Sequence, residues 1–354
     1  MSSLRQIAKL AGVSAMTVSR ALRDDPYVRA ETKQRVMEIA ELFHYRPNRL
    51  VQSLTTGRSH AIGAVVPVVS SAFYSWVLQG ITERAYEESF YVITLQTHHQ
   101  LVHARRALQM FIEQRVEGVL LALGFFDPLP REAILELWSH GIVPVEIDAH
   151  HLNTTIDRVM TDEDQVAELA LDHLHELGHR NIRFLDAYSP GAGRTLRGQA
   201  FARAFQRREG ITGSVYALTP DYQPSQIVQT WCAEQTLPTA LVTYTDVIGA
   251  EFIRALRQLG IAVPEDVSVI GCGNIRHAEF MTPPLTSVDQ RQEAMGRAAF
   301  DLLLKRLEAG TSPAEITPEV VLMPPRLVVR ESCVSPSITS PSTHPAPTPL
   351  SGPG

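Results

Sequence analysis

An all-α headpiece over residues 1–46, followed by an α/β region of two lobes that each carry a doubly wound parallel sheet, is the architecture this 354-residue chain predicts. Three observations predict it. Short helices with helical apolar spacing crowd the start of the chain. From Ala61 onward, apolar strand-like runs alternate with amphipathic helices, and that alternation starts afresh after Thr161-Asp162. The expected boundaries are 1–46 for the headpiece, 47–60 for a linker with a short helix, and 61–331 for the two lobes. Residues 61–158 with 290–318 would make the first lobe and 159–289 with 319–331 the second, leaving 332–354 as a tail.

In the headpiece, Ser3 is placed to cap a first helix whose Leu4, Ile7, Ala8 and Ala11 recur at helical intervals. Gly12 ends it with a positive φ, and Ser14 caps the next helix. Val18, Ala21 and Leu22 would face the first helix, leaving Ala15, Met16, Thr17, Ser19 and Arg20 on the outward face and N-terminal end. Short and polar groups at a helix start suit a major groove, where hydroxyls reach phosphates and an arginine forks onto guanine. This is the pattern of a helix-turn-helix, against the alternative of a surface helix in any small bundle. A third helix, with Val36, Ile39, Ala40 and Phe43 on its core face, would complete the unit before Tyr45-Arg46-Pro47 stops it.

Asn48 through Leu54 reads as a further short helix capped by Asn48. Seven residues do not hold a helix alone in water, so this segment would fold only against a partner. Charge is distributed to match: residues 1–59 hold ten Lys or Arg against five Asp or Glu, a net of +5, whereas the whole chain is −6 and the remainder therefore −11. Phosphate attraction is thus placed at one end.

Residues 4 to 331 resemble the LacI/GalR family of bacterial transcription regulators. The resemblance is carried by Ala11-Gly12-Val13-Ser14, Thr17-Val18-Ser19-Arg20, Tyr45-Arg46-Pro47-Asn48 and a linker leucine at Leu54. It implies a periplasmic-binding-protein-like two-lobed domain and double-stranded DNA contacts through Ser14, Ala15, Met16, Thr17, Ser19, Arg20, Asn48, Gln52 and Leu54. Paired linker helices would push their leucines between base pairs in the minor groove; a dimer-packing role is the alternative for Leu54. The resemblance also implies a homodimer on a pseudo-palindromic operator, acting as a repressor relieved by a sugar-like effector. A corepressor-dependent regulator responding to a sugar acid, sugar phosphate or nucleobase is the alternative.

The α/β region repeats strand and helix: Ile62–Pro67, a helix near 73–88, Tyr91–Leu95, Val116–Leu121 and Val143–Asp148, then Ile182–Asp186, a helix near 195–208, Val215–Leu218, Ala240–Tyr244 and Val267–Gly271. Ligands of parallel sheets bind beyond the carboxyl ends of the strands. With the resemblance, this points to Ser70 and Phe73 after the first strand, Asp148 after the fourth, Arg197, Asp246, Asn274 and Gln290. Carboxylate, guanidinium and amide groups bracket adjacent hydroxyls of a polyol. Duller roles stand beside these: a helix cap for Asp246, an ion pair for Arg197, packing for Phe73. Where family members carry an acidic pair, this chain reads Cys272-Gly273-Asn274, which favours a negatively charged effector.

Other chemistry is poorly supported. Gly191-Ala192-Gly193-Arg194 lacks a third glycine and a Walker lysine, and Ser189 lacks the flanking glycines of a hydrolase nucleophile. Adjacent pairs His98-His99 and His150-His151 diverge from one another, and cysteines 232, 272 and 333 have neither zinc nor redox spacing. A sugar-processing enzyme is accordingly the weakest reading. No cofactor or metal is expected. The cysteine usage and the short apolar stretches predict a cytoplasmic protein without a membrane span. Dense in Pro, Ser and Thr, 332–354 reads as disordered.

Overall fold

The computed structural model describes residues 4–22, 24–45, 58–124, 129–148, 155–188, 194–310 and 317–336. Ser3, Asn48, Gln52, Leu54, His150-His151, Ser189, Gly191 to Gly193 and everything beyond 336 lie outside the described residues. The chain divides into two compact units, Met1–His60 and Ala61–Gly354.

Three helices make the first unit: α1 (Leu4–Ala11), α2 (Ala15–Ala21) and α3 (Ala30–Leu42). Their core is Ile7, Ala8, Ala11, Val18, Ala21, Val36 and Ala40, small side chains that let short helices approach closely. Gly12 turns between α1 and α2 at φ +66°, and the Val13 N–H closes the turn on the Ala8 carbonyl at 3.1 Å. Phe43 departs from its expected core position. Helix α3 ends at Leu42, and the φ −94°, ψ 8° backbone at Phe43 takes its ring off the apolar stripe to 37% exposure. Tyr45 packs on the core instead, its N–H donating to the Ala40 carbonyl at 2.8 Å.

In the second unit the first lobe is built from β1 (Ala61–Val66), α4 (Ala72–Glu87), β2 (Tyr91–Gln96), α5 (Leu101–Glu113), β3 (Gly118–Leu121), α6 (Arg131–Ser139), β4 (Val143–Ile147) and β5 (Asp157–Thr161). The second lobe follows with α7 (Glu163–Glu176), β6 (Asn181–Asp186), α8 (Leu196–Arg207), β7 (Thr212–Ala217), α9 (Pro224–Ala233), β8 (Ala240–Thr243), α10 (Asp246–Gln258), β9 (Ser268–Cys272) and β10 (Thr286–Asp289). The chain then returns to the first lobe as α11 (Gln292–Ala309) and β11 (Val320–Met323), and ends in the second as β12 (Arg326–Val328).

The sheet orders are β11-β5-β4-β3-β1-β2 and β12-β10-β9-β8-β6-β7. All pairings are parallel except β12, which runs antiparallel to β10. Every residue of β1, β3, β4, β8 and β9 is buried, as expected of parallel strands covered by helices on both faces.

Two boundaries differ from expectation. Strand β5 lies wholly in the first sheet, and Val320–Met323 pairs with it there, so the first lobe takes residues through Thr161 and again through Met323. The second change is at the tail. Residues 332–336 are ordered against the second sheet: the Val269 N–H donates to the Ser332 carbonyl at 2.8 Å, and the Ser332 hydroxyl accepts from the Thr286 N–H at 2.8 Å. Buried His179 closes this strap, its ring within 3.0 Å of the Ser268 hydroxyl and 2.9 Å of the Val334 carbonyl.

Three crossovers join the lobes, at 161–162, 289–291 and 323–326, and hydrogen bonds join the crossovers to one another. The Gln290 amide donates to the Thr161 hydroxyl at 2.9 Å, and the Asp162 N–H to the Met323 carbonyl at 3.1 Å. Beyond the hinge, α11 packs on α4 at glycines from both helices. A Cβ on Gly80 would stand 2.0 Å from the Glu293 carbonyl oxygen, and one on Gly296 would stand 2.1 Å from that of Val77. Among the described residues no helix is long and apolar enough to cross a membrane.

Candidate nucleic-acid interface and interlobe site

Helix α2 begins with the predicted cap. The Ser14 hydroxyl accepts from the Thr17 N–H at 3.1 Å and lies 2.9 Å from the Thr17 hydroxyl, so both oxygens sit at the helix start. Met16 is 67% exposed. Arg20 is exposed one turn later, its Nε 3.7 Å from Asp25, which is close enough to bias the side chain without fixing it. Ser19 is half-buried. Ala15, expected on the outward face, is half-buried and packs against the headpiece core. Outward-facing chemistry therefore comes down to the two hydroxyls, Met16 and Arg20.

Between the lobes, Asp148, Arg197, Tyr74 and Tyr244 lie close enough to feel one another's charge. Asp148 follows β4 in a left-handed conformation, φ +51°. Loss of hydration pushes its carboxyl up to about 6, against the pull of Arg197. Tyr74 is held protonated by burial and by Asp148; its ring meets that of Phe73 edge-on at 5.1 Å.

Arg197 is positioned from several sides. Asp186, at the end of β6, accepts from the Thr195 hydroxyl at 2.6 Å and N–H at 3.0 Å, and Thr195 in turn caps α8. At the second residue of that helix, the Arg197 guanidinium forks onto Glu163 at 2.6 and 2.8 Å and donates to the Tyr244 carbonyl at 2.6 Å. It also lies 4.5 Å from the Tyr244 ring centroid. The acid that pairs with Arg197 is thus 12% exposed and belongs to the cleft, not the surface.

The remaining expected residues have other duties. Asp246 is fully buried: one oxygen accepts from the Ser287 hydroxyl at 2.5 Å and the other from the Ile275 N–H at 2.7 Å, while Thr245, one residue earlier, caps α10. Asn274 accepts from Arg330 at 2.7 Å and its amide lies 3.5 Å from Asp289. Gln290 belongs to the hinge, and Ser70 is exposed beyond β1. Sequence reasoning missed Tyr74, Tyr244 and Glu163. No sequence signal separates Tyr74 and Tyr244 from packing aromatics; Glu163 could have been found as the first acid after the lobe crossover.

Burial pushes the Cys272 thiol up to about 12, which keeps it neutral. Among the described residues no group of three metal-ligating side chains converges.

Comparisons with known proteins agree with this architecture. Residues 3–48 match the family described as "Bacterial regulatory proteins, lacI family", and residues 171–333 match "Periplasmic binding protein-like domain". The HTH-type transcriptional repressor PurR of Vibrio vulnificus (strain CMCP6) is 29% identical over 339 residues, covering 94% of this chain and 98% of that protein. The structure of the Lac repressor dimer bound to operator and the anti-inducer ONPF superposes with a TM-score of 0.80 at 23% identity, covering 94% and 99% of the two chains. The CelR–cellobiose complex, also a transcriptional regulator, gives a TM-score of 0.66 at 26% identity over 94% and 100%. A LacI family regulator from Enterococcus faecalis V583 with bound ribose gives 0.65 at 25% over 78% and 100%. The chain thus joins a lacI-type DNA-binding headpiece to a periplasmic-binding-protein-like domain and is similar along nearly its whole length to transcriptional repressors.

Proposed function

We propose that the chain is a homodimeric repressor whose operator affinity is lowered by a neutral, hydroxyl-rich, sugar-like effector held between the lobes. The charge balance around Arg197 carries the effector class. Its guanidinium is already matched by the bidentate Glu163 carboxylate, and the carboxylates of Asp148, Asp186 and Asp246 also lie within reach of its charge. No surplus cation remains there among the described residues to receive an acid. The negatively charged effector suggested by Gly273 and Asn274 therefore loses its support, since buried Asp246 lies against that same turn. Hydroxyl donors to Asp148 fit better, as do the sugars bound by the cellobiose- and ribose-binding relatives. The aromatic group of Phe73, Tyr74 and Tyr244 favours one second reading, a planar heterocycle such as a nucleobase.

On the DNA side, Ser14 and Thr17 would contact phosphate, Met16 and Arg20 would enter the major groove, and Asn48, Gln52 and Leu54 would act through the linker. Two headpieces then require half-sites about one helical turn apart. Effector binding shifts the balance only by its differential affinity for the two lobe arrangements. No catalytic step is assigned to the cleft.

A randomised-site selection on the full chain supplies the operator, and fluorescence anisotropy with that DNA tests the reading against a panel of neutral sugars, sugar acids and nucleobases. Release by a neutral sugar, lost in Asp148→Asn, is the expected outcome. Release by acids alone overturns the charge argument, and tighter DNA binding with a nucleobase selects the corepressor reading.

A further inference from the structure

Beside the hinge, a cavity of about 620 Å³ is lined by residues of both lobes and by none of Tyr74, Asp148, Arg197 and Tyr244. Small-molecule sites run to roughly 300–1,000 Å³, so this one is large enough for a ligand. Five guanidiniums reach it: Arg276 from the second lobe, Arg291 and Arg297 from the start of α11, and Arg326 and Arg330 from β12 and the residues after it. Three carboxylates oppose them, Glu279, Asp289 and Glu293, leaving a formal excess of two positive charges.

Ion pairs bring that excess down to one positive charge, because Arg297 is matched from outside the cavity. Arg326 pairs with Asp289 at 2.8 Å, and Arg297 pairs with Glu87, outside the cavity, at 2.7 Å. Arg330 donates to the Leu285 carbonyl and the Asn274 amide oxygen, each at 2.7 Å, and neither partner carries charge. The side chains of Arg276 and Arg291 make no hydrogen bond or ion pair with any described residue. Trp76 of α4 adds an aromatic wall.

We propose that this cavity is a second ligand site, specific for a small phosphomonoester or a similarly compact dianion, and that its occupation ties the two lobes together. Guanidinium forks suit phosphate oxygens, and a tetrahedral dianion accepts from more than one fork at once. Arg276 belongs to the second lobe and Arg291 stands at the N-cap of the helix that re-enters the first. An anion bridging them is bound best when the lobes hold this spacing. By linkage it then stabilises that arrangement, whatever occupies the interlobe site.

The test is calorimetric titration of the full chain with inorganic phosphate at fixed ionic strength, with chloride as the reference anion. Saturable binding of one phosphate per chain is expected, weakened about tenfold or more in the double variant Arg276→Gln/Arg291→Gln. Glu293→Gln, which removes a carboxylate from the wall, should bind phosphate more tightly, and Arg203→Gln, at a surface pair with Asp164, should leave binding unchanged. Arg276 and Arg291 are exposed, so melting curves of the variants should overlay that of the parent chain. Binding that is absent, unsaturable or equally strong in the double variant overturns the site. Hydrogen exchange at 289–291 and 323–326 should slow on saturation; phosphate binding without that slowing overturns the tie between the lobes.

Discussion

Arg197 carries a full positive charge at 3% exposure, and Glu163 is what makes that tolerable. Removing one partner of such a pair strands the other, so Glu163→Gln should cost roughly 3–5 kcal/mol. The measurement is the urea midpoint of the second lobe. Arg197→Lys should not restore the parent stability, because an ammonium cannot reproduce the fork. Asp148 gives a pH dependence. With its carboxyl at about 6, the acceptor needed by a hydroxyl donor is present above that pH and is lost to protonation below it. Effector affinity measured by calorimetry should therefore fall as pH drops through 6, and Asp148→Asn should flatten the profile. Asp148 and Arg197 were reachable from the sequence through their places at a strand end and on a second-lobe helix, taken together with the family resemblance. Tyr74 and Tyr244 were not, since an aromatic next to a strand or at a helix start looks the same whether it packs or binds. The duty of Asp246 was equally hidden, because its two donors come from 29 and 41 residues away.

At the scale of elements, the central strands were readable because runs such as Ala61–Val66 are apolar throughout and bounded by turns. Strand β5 escaped because it begins with Asp157 and Arg158, charged residues that break the apolar pattern. The structure pairs Asp157 with Arg306 of α11 at 2.5 and 2.8 Å, so the charge belongs to an internal tie. Four-residue β11 and three-residue β12 are too short for periodicity to register, and the lobe boundary was misplaced with them. Helix α4 meets α11 through Gly80, where an added methyl would press on backbone that cannot rotate away. Gly80→Ala should destabilise the first lobe by about 1–3 kcal/mol. Thermal unfolding followed at Trp138, which packs on that lobe's core, would check it.

For the whole molecule, charge is segregated: +5 over residues 1–59 and −11 over the rest. Operator affinity should fall steeply and linearly in log–log form with added salt, with a slope set by the phosphates that the headpieces neutralise. Anisotropy titrations at several salt concentrations would give that slope, and one near zero would mean the basic end does not carry the binding. The three crossovers have a consequence for how the protein is made. The first lobe receives α11 and its edge strand β11 only after the chain has passed through the whole second lobe. On the ribosome, residues 61–161 emerge early with the apolar face that meets Met295, Ala299, Phe300 and Leu303 still uncovered. The second lobe, its sheet built up to β10 by residue 289, is completed nearly in order. Synthesis thus delays the covering of the lobe nearer the start of the chain: its open face waits for α11 and β11 until the second lobe's sheet has been built up to β10.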